Sequence, residues 1–71
     1  MDHNAILAAH IAARTLDYHL CIAQGMALYG HVRDAQTAMV VANADLRNLA
    51  EAMGFDLVPR LDAVAAAREV A

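Results

Sequence analysis

The stretch from His10 to Gly30, HIAARTLDYHLCIAQGMALYG, constrains this chain more than any other. It reads as one helix, and most of its circumference is apolar. Such a helix is normally covered on several sides, in the middle of a large protein or in a bilayer. The whole chain has only 71 residues, one domain near the lower limit for folding alone without staples. What covers this helix is therefore the main structural question.

The helical pattern extends from about Asn4 to Tyr29, with no proline and with Gly25 as its first glycine. Asp2 or Asn4 can cap its start, and Gly30 stands where a helix-ending C′ glycine belongs. At about 100° per residue, His3, His10, Arg14, Asp17, Cys21 and Gln24 share one narrow polar strip. The rest of the circumference divides into two apolar sectors. One is bulky: Leu7, Ile11, Tyr18, Ile22, Met26 and Tyr29. The other, Ala9, Ala13, Leu16, Leu20, Ala23 and Ala27, alternates spacings of three and four as a heptad seam does, and its alanines let a second backbone come close.

A second helix is expected from about Asp34, as N-cap, to Met53, with Gly54 as the stop. Ala35, Ala38, Met39, Ala42, Leu46, Leu49, Ala50 and Met53 form one apolar face, opposite Gln36, Asn43, Arg47 and Glu51. The connection His31-Val32-Arg33 is short, which predicts an antiparallel hairpin. A third, short helix is expected from about Pro59 to Val70, since proline is acceptable in a first turn. Its apolar strip is Leu57, Leu61, Val64 and Ala65. Residues 55–58 read either as an extended turn leading into it or as part of it.

The expected fold is thus all-α, a single domain over residues 1–71: an antiparallel helical hairpin plus a short C-terminal helix, assembling as a helical-bundle homodimer or higher oligomer. The bulky sector (Leu7, Ile11, Tyr18, Ile22, Met26, Tyr29), with Met39, Leu46, Leu49 and Met53, is expected to form the core within one chain. The seam Ala9, Ala13, Leu16, Leu20, Ala23 and Ala27 is then left for a second copy about a two-fold axis. Composition supports association. The chain is 61% hydrophobic, yet eighteen residues are alanines that bury little surface each, and Tyr18, Tyr29 and Phe55 are the aromatics.

The formal charge is −3, and the five bases, Arg14, Arg33, Arg47, Arg60 and Arg68, are scattered. No basic stripe tracks a phosphate backbone, so neither nucleic acid nor an anionic membrane is the expected partner. The lone cysteine, Cys21, suits a reducing cytoplasm. The acidic start Met1-Asp2-His3-Asn4 is unlike a secretory signal. The charge-free run Tyr18 to Val32 is too short to span a bilayer.

Chemistry-bearing residues are few. His10, Asp17 and Cys21 lie on the polar strip and are weak candidates for a metal or small-ligand site. Asp17 and Cys21 are one turn apart, but His10 and Asp17 are separated by about 10 Å along the axis, so those two would share an ion only across a subunit boundary. HxxxH, HExxH and CxxC are absent. The plainer reading is a solvated strip with an Arg14–Asp17 ion pair. His19 projects from the apolar side, where a structural histidine bonded to a carbonyl or a tyrosine is expected; burial there would make an interface sensitive to pH. The chain has no serine. Thr15 and Thr37 lack an adjacent base, Cys21 lacks an activating cation, and no glycine-rich phosphate loop occurs. No cofactor and no catalysis are expected.

Leu49 to Phe55 resembles the first helix and turn of a DNA-binding helix-turn-helix, which would make residues 46–68 a degenerate motif. It breaks down in the half that would read bases. Arg60 stands where an aliphatic residue belongs, Pro59 falls in the first turn, and Asp56, Asp62 and Glu69 would face a polyanion. The reading best supported by sequence is a non-catalytic protein–protein interaction module, a small cytoplasmic regulator, inhibitor or adaptor that binds itself and another protein. The arginine-only, alanine-rich composition fits a GC-rich bacterial or phage gene.

Overall fold

The structure, a computed structural model, describes residues 2–60. It consists of two α-helices, α1 (His3–Leu28) and α2 (Val32–Met53), packed against one another. Asp2 caps α1, its Oδ1 accepting a hydrogen bond of 2.7 Å from the Ala5 N–H. Such a cap satisfies one of the donors that every helix N-terminus leaves open.

Both helices end in the same way. Gly30 has φ +79° and Gly54 has φ +85°, the left-handed region that a Cβ disfavours. At the first stop the Gly30 N–H donates to the Ala27 carbonyl and the His31 N–H to the Met26 carbonyl. At the second, the Gly54 N–H donates to Glu51 and the Phe55 N–H to Ala50. These are paired Schellman closures, which satisfy the last carbonyls and reverse the chain. Gly30→Ala is expected to cost about 1 kcal/mol through the forced positive φ. A circular-dichroism melt checks this, and an unchanged midpoint would show that the turn relaxes without strain.

The tight reversal at Gly30 shifts the start of α2 from the position expected from sequence. The helix resumes at Val32, with His31 in the cap position making no side-chain cap, and the Ala35 N–H donates to the His31 carbonyl. Asp34 therefore lies inside the first turn, where its charge complements the positive end of the helix dipole.

The packing between the helices differs from expectation in the face that α1 uses. Along α1, Ala5, Ala9, Ala12, Leu16, His19 and Ala23 are buried or half-buried; along α2, so are Ala35, Ala38, Ala42, Asp45, Leu49 and Ala52. Both rows alternate three and four, so two small-residue seams face each other within one chain. The bulky sector assigned to this seam stays outside: Leu7, Ile11, Tyr18 and Tyr29 are exposed, and only Ile22 is half-buried, with Met26 at the margin. On α2, Met39, Leu46 and Met53 are also exposed, each by somewhat less than half, and Leu49 alone of that expected core set turns inward. The physical reason is complementarity. Two alanine rows bring the backbones close, whereas Leu7, Ile11 and Tyr18 would hold α2 away from its own alanines.

Beyond Gly54, residues 55–60 are neither helix nor strand. They turn back along α2, forming shallow grooves with Arg47 and Ala50 and then with Asn43 and Leu46. The expected third helix from Pro59 to Val70 and its strip at Leu61, Val64 and Ala65 lie almost wholly outside the described residues, as does the second half of the helix-turn-helix pattern. Among the described residues, no helix is long and apolar enough to cross a membrane.

Candidate interaction surface

Every residue that is fully inside the hairpin is an alanine: Ala12, Ala23, Ala38, Ala42 and Ala50. The seam contains one polar contact. His19 Nδ1 and Asp45 Oδ2 lie 2.5 Å apart, with side chains 28% and 14% exposed. His19 thus bonds to a carboxylate across the seam, and neither a backbone carbonyl nor a tyrosine takes that place. Tyr18 sets its ring edge-on to the imidazole, with centroids 5.4 Å apart at 72°. The histidine is held between α2 and the outer surface of α1.

Asp45 carries a role that the sequence reading overlooked. A signal for it existed. In the row Ala35, Ala38, Ala42, Asp45, Leu49 and Ala52, an acid occupies a seam position with apolar neighbours one turn away on either side. An acid there needs a partner, because an unpaired carboxylate is costly to bury.

Exposed apolar side chains occur on both helices and in residues 55–58, and four of them form one row on the outer surface of α1. Leu7 is 48% exposed, Ile11 55%, Tyr18 58% and Tyr29 81%, and helical spacing places all four on one side of the hairpin. Of the six residues expected at a subunit interface, Ala9, Leu16 and Ala23 belong instead to the seam with α2. Ala13, Leu20 and Ala27 are exposed on the flank of α1 away from the Leu7 row. The expected interface is therefore split between two surroundings.

The polar strip faces solvent. His10, Asp17 and Cys21 are all exposed, and among the described residues no three metal-ligating side chains come together. Arg14 and Asp17 form no ion pair, whereas His19 and Asp45 are in contact across the helix seam. The hydroxyls of Thr15 and Thr37 donate to carbonyls of their own helices, Thr15 to Ile11 and Ala12 and Thr37 to Arg33. Arg33 and Arg47 lie exposed on the far side of α2 with Glu51 nearby on the same face. No protein-family model matches the chain, and no curated protein and no solved structure matches it either.

Proposed function

We propose that this chain is a non-catalytic interaction module, a small cytoplasmic regulator or adaptor that works as a helical bundle built from more than one copy. The observation that carries this reading is the mismatch between core and surface: the fully buried residues are alanines, while the larger apolar side chains other than Leu16, Ile22 and Leu49 are exposed. Alanine burial removes little apolar area, and apolar area is the main driving term of folding.

The thickness of the hairpin supports the same reading. The shortest dimension is 12 Å, the diameter of a single helix, so the hairpin is one layer where stable domains pack two. Catalysis has little support, since the threonine hydroxyls bond their own helices and Cys21 sits mid-helix without a cation beside it.

Native mass spectrometry of the untagged protein over a wide concentration range tests the proposal. The expected result is a dimer or larger species carrying no added mass. A monomer at every concentration would overturn it, and added mass equal to a metal ion would move attention to His10, Asp17 and Cys21.

A further inference from the structure

Resting on that reading, we infer that the surface used for self-association is the outer row of α1, and that a second copy docks there antiparallel, about a two-fold axis passing beside Tyr18. Three observations point to this register. The first is spacing. The row Leu7, Ile11, Tyr18, Gly25, Tyr29 has intervals of four, seven, seven and four, so it reads the same in both directions from Tyr18. A two-fold interface requires such self-complementarity, because each contact from one copy to the other is made twice. With Tyr18 against its counterpart, Leu7 lies opposite Tyr29 of the second copy and Ile11 lies opposite Gly25 of the second copy. The row spans about 33 Å along the helix.

The second observation is Gly25 itself. A glycine inside a helix is destabilising relative to alanine, and nothing among the described residues requires one here. A Cβ built on Gly25 meets no atom within 4 Å, and its φ is not in the left-handed region. The notch it leaves opens on the same side as the exposed Leu7, Ile11 and Tyr18, and in the antiparallel register it receives Ile11, a branched side chain 55% exposed in the hairpin. The third observation concerns the competing surface. Leu57, Val58 and Pro59 border a groove along Leu46 of α2, while no described segment lies beside the Leu7 row.

No charge lies within this row. Arg14 stands at its edge, opposite Ile22 of the second copy, where its aliphatic stem can cover that side chain and its guanidinium reach water.

Sedimentation equilibrium of four proteins tests the inference, with circular dichroism confirming that each stays helical. Gly25→Leu fits the free hairpin, because the space is open, but it fills the notch. Its dimer is expected to dissociate at least about tenfold more readily than the wild type, an overpacking effect. Ile11→Ala added to Gly25→Leu empties the opposing position and is expected to restore most of the affinity. Ala13→Glu, on the other flank, is expected to leave the dimer intact. Unchanged association in Gly25→Leu, no recovery in the double variant, or loss of the dimer in Ala13→Glu would each overturn the register while leaving self-association standing. A monomeric wild type would overturn both.

Discussion

Ala42→Leu is expected to destabilise the hairpin by about 1–3 kcal/mol, the usual cost of forcing extra carbon atoms into a close-packed site. Ala42 is 2% exposed, the most enclosed residue of the five buried alanines. Its seam is mostly alanine and brings the backbones close, so the helices have no slack to absorb a leucine. They must part, losing the contacts of neighbouring alanines, or rotate, breaking the His19–Asp45 contact. A single small domain has only a few kcal/mol in hand, which makes this a large fraction of the total. Urea denaturation followed by circular dichroism measures it. Protein concentration must be held fixed, because association makes apparent stability depend on it. Ala44→Leu, on the exposed side of α2, is expected to stay within about 0.5 kcal/mol of wild type. Equal stability of the two variants would mean that the seam is not closely packed.

Asp45→Ala is expected to cost about 1–2 kcal/mol, in the range for losing a hydrogen bond that involves a charged group. The two side chains are mostly enclosed, so solvent does not replace the lost partner fully. His19→Ala should cost a similar amount, and the double variant less than the sum of the two, since each single change already removes the same contact. We also expect the apolar pair His19→Leu with Asp45→Leu to recover stability yet lose definition. Replacing a polar pair in a seam is often neutral or better for stability, while a polar seam residue can specify one packing over others. In this hairpin the alternative packing can be named: a rotation of α1 that turns Leu7, Ile11, Tyr18 and Ile22 toward α2. Amide NMR spectra of the apolar variant should show broadened or doubled peaks. A single sharp set, together with no cost in Asp45→Ala, would show that the pair is incidental.

This competition explains which part of the candidate site was legible in sequence. The two apolar sectors of α1 follow directly from periodicity, and so does the presence of surplus apolar surface. Their assignment does not. The alanine sector was expected to meet a second copy because heptad-spaced alanines suit close helix approach, and the hairpin uses that same property for its own second helix. Periodicity places residues on a face and is silent about which neighbour the face meets. Asp45 was within reach, as a lone acid at a seam position across from the one histidine on the apolar side of α1. Gly25 was similarly visible as a helix-interior glycine, but that its Cβ would meet open space is known only once the hairpin is built.

Local structure follows from the sequence: two long helices, a first cap at Asp2 or Asn4, the glycine stops at Gly30 and Gly54, and the antiparallel reversal. These depend on backbone propensities and hydrogen bonds between residues a few positions apart, which a linear reading captures. The rotation of α1 about its axis, the pairing of His19 with Asp45, and hence the outward turn of Leu7, Ile11, Tyr18 and Tyr29 arise from the packing of the two helices. That choice depends on how closely two backbones approach when both seams are alanine and on where a half-buried carboxylate finds a partner. Both are relations between residues far apart in the chain, so they exist only once the two helices have met.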